Sequence, residues 1–284
     1  MIVSTHLFSN EALHTALLDR IVRAGAQGIE LFCARQSFDY RDARQKEALV
    51  HWFRENPMPL HAIHSPLFSD DCWGRSGAPA INLAERDTRR RIASMDEIQR
   101  ALEIAEEVPC RFLIQHLGVA NQEDDERAMD AAFTSLERLR VLTKPLGITI
   151  LLENIPNELS TPERLMGFLQ TTHLDDLGVC FDVGHAHFMP PPTTPSSAPH
   201  VLRAFEVLRT RVRSVHLHDN HGAQSAGESD PHLWPGEGTV PWNTLMPELH
   251  AAGLPCVLEL HSAPADSATW ERLTRTVAEL QSRA

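Results

Sequence analysis

Carboxylates and imidazoles stand at the ends of short apolar segments along this chain, where a strand would hand over to a loop. Glu30 sits in GIELF, His64 in HAIHSP, His116 in LIQHLG and Glu153 in LLEN. Asp182 and His185 share FDVGH, His216 lies in VHLHD and Glu259 in LEL, while SDPHLWPGEG carries Asp230 and His232. Carboxylate oxygen and imidazole nitrogen are the donor types that hold zinc, manganese or cobalt. Acidic groups crowded onto one rim would repel one another, and a divalent cation is the simplest partner that makes such a cluster tolerable. Each residue alone reads as an ordinary hydrogen-bonded side chain; their shared position in the repeat makes them a site.

That repeat has eight units. The strand candidates are Ile2 to Phe8, Gly28 to Cys33, Leu60 to Ser65, Phe112 to Leu117, Ile148 to Asn154, Gly178 to Val183, Val212 to His218 and Cys256 to His261. Several are apolar almost throughout, as strands covered on both faces are. Between them run segments of helical periodicity. Asn82 with Glu85 reads as a capping box, Thr161 before Pro162 as a helix start, and Trp270, Leu273, Val277 and Leu280 as one apolar stripe. Eight alternations of strand and helix predict an α/β fold, a single (β/α)8 TIM barrel over residues 1–284 with no internal boundary. In such barrels the reactive face is the one at the carboxyl ends of the strands, where the polar residues above fall. Two stretches interrupt the rhythm, Met189 to Pro199 and Ser69 to Pro79; each is either a surface connection or a loop covering that face.

The chain has 284 residues, with 38 acidic against 26 basic side chains, a net charge of -12, and 16 histidines beside one tyrosine. The acidic balance lacks the clustered lysine and arginine that displace counterions from nucleic acid, which ranks below small molecules as a partner. The five cysteines form no CxxC pair and predict no disulfides. With no basic-then-apolar leader and no long apolar run, a cytoplasmic protein without a membrane partner is expected.

The ordered set LLEN, FDVGH, HLHD, D-P-H-L-x-P-G-E-G and VLEL resembles the xylose-isomerase-like barrel superfamily, which joins sugar isomerases and epimerases with the endonuclease IV type of abasic-site endonuclease. The resemblance spans nearly the whole chain. It implies that Glu153, Asp182, His216 and Glu259 hold the metal common to both branches. It further implies that His64, His116, His185, Asp230 and His232 complete a three-zinc set in which Glu153 bridges two ions. One to three divalent ions (Zn, Mn or Co) are thus expected. Glu30 resembles the second-strand glutamate of the sugar enzymes, whereas the arginine that many ketose epimerases carry after the seventh-strand histidine is absent from NHGAQSAG.

Two activities follow. The first is a metal-dependent isomerase or epimerase of a sugar, sugar phosphate or related polyhydroxy carbonyl compound, with Glu153 and Glu259 as the catalytic carboxylates moving a proton through an enediolate. The alternative is a multi-zinc phosphodiesterase of the abasic-endonuclease type; a barrel that binds ligand without turnover ranks last. Glu30, His6 and Trp234 are the expected substrate contacts, and a homo-oligomer is compatible with either activity. His218 and His221 are read as supporting or exposed residues, since His218 is taken to turn away from His216. Arg35 is read as an ordinary surface residue.

Overall fold

The computed structural model describes residues 1–120, 122–189, 199–222 and 229–282. Eight parallel strands close into a barrel in sequence order: β1 (Ile2–Ser4), β2 (Ile29–Phe32), β3 (Leu60–His64), β4 (Cys110–His116), β5 (Thr149–Glu153), β6 (Gly178–Asp182), β7 (Val212–Leu217) and β8 (Cys256–Leu258). Closure is made by β1 against β8, with Ile2 opposite Val257 and Val3 opposite Leu258. Strands β2 and β3 are buried at every position, as apolar strands sandwiched between barrel interior and helices must be.

The outer ring is α1 (Thr15–Arg23), α2 (Ala43–Glu55), α3 (Thr88–Leu102), α4 (Glu126–Thr143), α5 (Pro162–Thr171), α6 (Val183–Phe188), α7 (His200–Leu208), α8 (Trp242–Ala251) and α9 (Ser267–Ser282). Their starts are fixed by side-chain caps that satisfy amide groups otherwise left open. Asp42, Asp125 and Thr161 accept from Arg44, Arg127 and Arg164 at 2.8, 3.0 and 3.3 Å. The Thr161–Pro162 start is therefore present, and Trp270, Leu273, Val277 and Leu280 bury one stripe of α9. The expected Asn82–Glu85 capping box is not formed: α3 begins five residues later behind Asp87, which accepts from Arg89 and Arg90, and Asn82 instead closes a turn onto the Ala84 amide. The local pattern was a turn signal, since Asn bonds its own backbone two residues on as readily as it caps a helix.

Two strands are shorter than their apolar runs. After Ser4 the chain coils into a 3-10 turn over Thr5–Phe8, because Ser4 caps the His6 amide and Thr5 Oγ1 accepts from Phe32 N–H at 2.9 Å. Likewise β8 ends at Leu258, one residue before Glu259. The stretch from Ser69 to Pro79 is held by Asp70, whose Oδ1 accepts from the Gly74 amide at 2.7 Å, and by a bridge between Phe68 and Ala80. Of the Met189 to Pro199 run, residues 190–198 lie outside the described residues. Among the described residues no helix is long and apolar enough to cross a membrane.

Candidate metal centre

The barrel brings the carboxyl ends of six strands onto one buried rim. His64, His116, Glu153 and Asp182 are the last residues of β3 to β6, His216 is the penultimate residue of β7, and Glu259 follows β8. Asp182 also caps α6, its Oδ1 accepting from the His185 amide at 2.6 Å, which fixes His185 beside it.

Glu153 lies at the middle. Its Oε2 is 3.3 Å from both His64 Nε2 and His116 Nε2. Its Oε1 turns the other way, 3.1 Å from His185 Nδ1 and 3.7 Å from His216 Nδ1. His216 Nδ1 in turn lies 3.6 Å from Asp182 Oδ2 and 3.0 Å from Glu259 Oε2. Ligands on a tetrahedron with bonds of about 2.1 Å sit about 3.4 Å apart, so these separations match donors arranged around an ion. Both Glu153 oxygens, Asp182 Oδ2, His116 Nε2, His185 Nδ1, His216 Nδ1 and His232 Nδ1 are buried without a hydrogen-bond partner. Buried polar atoms are nearly always paired, and a convergent set left open fits divalent cations.

Among the described residues three groups built on the strand-end residues emerge, the donor atoms of each lying within 4.8 Å of one another: His64, His116 and Glu153; Glu153, Asp182, His216 and Glu259; and His185, His218, Asp230 and His232; a fourth set, His6 with His232 and Glu259, borrows from the second and third. The third depends on the long loop after β7. Asp219, fully buried, organises it: Oδ2 accepts from the Gly236 amide and from Trp242 Nε1, both at 2.8 Å, while its backbone pairs with Leu233 in both directions. Gly238 is required there, because a Cβ would run into Asp219 Oδ1 and the Asn220 carbonyl. This frame presents Asp230, held by Asn220 Nδ2 at 3.0 Å, and His232, which adopts a left-handed φ of 44°. Strained backbone of this kind persists only where surrounding contacts enforce it.

The electrostatics are those of carboxylates and imidazoles packed against one another. Burial opposes ionisation of Glu153, Asp182 and Glu259, yet the surrounding imidazoles hold all three carboxyls below their usual range. Burial likewise opposes charge on His185, but Asp182 and Glu153 raise it to about 10. His6 goes the other way, lowered to about 4 chiefly by burial.

The nine residues expected as ligands are thus brought together. Glu30 differs from expectation: it is fully buried beneath the rim, with Oε2 3.0 Å from His216 Nε2, and is absent from the cavity wall. Its contact is with the His216 ring, as a carboxylate that orients a histidine would be placed. Trp234 also stays out of the wall and stacks under Arg272 at 4.6 Å. Arg35 is tied to Asp39 at 2.9 Å and to the Ser69 carbonyl at 2.7 Å. The cavity over the cluster, about 410 Å³, is walled by His6, Phe32, Trp73 and Arg75 together with ligand residues of all three groups. Trp73 carries a left-handed φ of 57° and lies parallel to His6 and Phe32 at 6.1 and 5.5 Å between ring centres. It belongs to the Ser69 to Pro79 stretch, expected either to connect at the surface or to cover this face; within that stretch no residue type or spacing had marked Trp73 out. His218 is buried within the third group, not turned away: strand side chains repeat every two residues, so it shares a face with His216.

With this fold and centre, the chain belongs to the xylose isomerase-like TIM barrel family, whose profile matches residues 18–281. Among characterised shapes it resembles a D-tagatose 3-epimerase-like protein (23% identity, 98% of this chain and 97% of that one, TM-score 0.73). It also resembles the IolI protein with a bound zinc atom (16% identity, 99% and 95%, TM-score 0.75). In sequence it is 22% identical to a probable endonuclease 4 of Mycobacterium leprae over 267 residues, 91% of this chain and 92% of that protein.

Proposed function

We propose that the chain is a hydrolase of phosphoesters, most simply phosphodiesters, working with a multinuclear divalent metal centre. The observation that carries this reading is the posture of Glu153: its two oxygens face different sets of imidazoles, Oε2 toward His64 and His116 and Oε1 toward His185 and His216. A carboxylate so placed would help to hold two ions, and a pair of divalent ions there would supply the charge that a phosphoryl displacement needs. When bound, the ions supply Lewis acidity, neutralising phosphate charge and lowering the pKa of water. The chain's own residues do the rest. His64 and His116 define one end of the site and Asp182, His216 and Glu259 the other, with Glu30 holding the His216 ring. Burial keeps His6 neutral, as a hydrogen-bonding wall beside Glu259, its Nδ1 being 3.9 Å from Oε1. Arg75 adds a cationic group to the cavity wall.

The sugar isomerase or epimerase reading keeps one observation in its favour: Glu153 and Glu259 both line the cavity from separate strands, as two-sided proton transfer would need. It leaves His64, His116, Asp230 and His232 without work. Similarity to both an epimerase-like protein and an endonuclease 4 is compatible with either chemistry. Metal content per chain, combined with assays on an activated phosphodiester, abasic duplex DNA and a ketohexose panel, separates them. Three ions with phosphodiester cleavage that is lost in Asp230→Asn support the hydrolase. One ion with sugar turnover overturns it.

A further inference from the structure

His218 lies just beyond the end of β7 with no exposed surface. Its Nε2 is 2.8 Å from Asp182 Oδ1. A carboxylate only accepts, so that nitrogen carries the proton, and Nδ1 carries a lone pair whenever the ring is neutral, as ligation requires. Nδ1 has no hydrogen-bond partner and points to the third group, 3.6 Å from Asp230 Oδ1. The ring lies flat against His232, 3.7 Å between centres and 4° from parallel, so both rings meet one ion only after one of them turns out of the stack; it lies edge-on to His185 at 5.3 Å. Space for it is reserved by Gly184, where a Cβ would strike the His218 ring.

We infer that His218 is a fourth protein ligand of the third metal position, closing that position with His185, Asp230 and His232 while its opposite nitrogen holds Asp182. The inference rests on the multinuclear reading given above. Four protein donors leave a tetrahedral ion no open place, which is the pattern of a structural rather than a substrate-binding metal. The third ion then acts through the His218–Asp182 bond, steadying a ligand of the central group, and exchange with substrate is confined to the two positions that share Glu153.

The test loads the purified full chain with Co²⁺ and reads ions per chain, affinity and visible absorption for wild type, His218→Asn and His218→Gly. Expected are three ions in wild type, including one with the intense bands of four-coordinate cobalt that azide leaves unmoved. In both variants that band is lost and the third ion is held at least about tenfold more weakly, the scale seen when support for a metal site is removed. Added imidazole restores the band in His218→Gly. Three ions in His218→Asn with unchanged affinity and spectrum overturn the role of His218 alone. A single ion in wild type overturns the multinuclear reading with it. Should both variants fail to fold, the wild-type spectrum still decides: a four-coordinate band shifted by azide marks an open third position and refutes the inference.

Discussion

Asn154 grips Asp182 at both ends of its peptide: its Nδ2 donates to the Asp182 carbonyl and its Oδ1 accepts from the Asp182 amide, each at 2.8 Å. The pairing of β5 with β6 runs out at Glu153 opposite Cys180, and the Asn154 side chain supplies the next rung. A side chain thus fixes the backbone of a residue that is at once helix cap, partner of His218 and one of the four donors converging with Glu153, His216 and Glu259. Asn154→Ala leaves the buried Asp182 amide unpaired and removes the bond to its carbonyl, which costs about 2 kcal/mol. Urea unfolding of the metal-free chain is expected to show that loss, and titration with Zn²⁺ a weaker central site. Unchanged metal affinity in the variant would show that Asp182 is positioned without Asn154.

Glu30→Gln tests whether the glutamate acts through His216. The amide has the same shape and can still meet Nε2, but it does not favour the tautomer with Nδ1 free for a metal as a carboxylate does. Metal affinity is expected to fall by about tenfold to a hundredfold with little change in the unfolding midpoint of the metal-free chain. If Glu30 contacts substrate instead, KM rises while metal binding stays as it was.

How far the sequence foretold this centre depends on what each residue answers to. A closed barrel converts the order of strand-terminal residues along the chain into their order around a rim, so the convergence of Glu153, Asp182, His216 and Glu259 was legible from apolar runs that end in carboxylates and imidazoles. Depth below the rim is not written in that way: Glu30 and Glu153 both sit on strands in similar surroundings, yet one faces the metal groups and the other supports His216. For His218 the signal was present, since its two-residue spacing from His216 puts both on one face. The strand limits at Ser4 and Leu258 were hidden because apolar character continues beyond the last ladder bond; side-chain hydrogen bonds from Ser4 and Thr5 turn the first of these segments.

Trp73 is expected to govern substrate affinity more than turnover. With His6 and Phe32 it forms an aromatic wall facing the metal groups, suited to a ring carried by the phosphoester. Aromatic contacts contribute about 0.5–1.5 kcal/mol beyond buried area, so Trp73→Ala should raise KM about threefold to tenfold with a smaller effect on kcat. Equal loss in kcat and kcat/KM would place Trp73 in the reacting geometry instead.

Acid should weaken the fold through His61, one layer below the rim. Its ring bonds Ser214 Oγ at 3.0 Å across the barrel and packs edge-on to Phe112, and burial lowers its pKa from the ordinary 6.5 to about 4. Between those values the unfolded chain takes up a proton that the folded one refuses. Stability therefore falls as pH drops through that window, and the full penalty is reached only below the folded value. From about pH 7 to about pH 5 the residue accounts for about 2 kcal/mol. Other buried histidines add their own dependence, so the comparison is between wild type and His61→Gln, unfolded in urea at both pH values in the metal-free state. The variant should lose about 2 kcal/mol less than wild type over that interval. Identical losses in the two proteins would mean that the barrel admits the proton without cost.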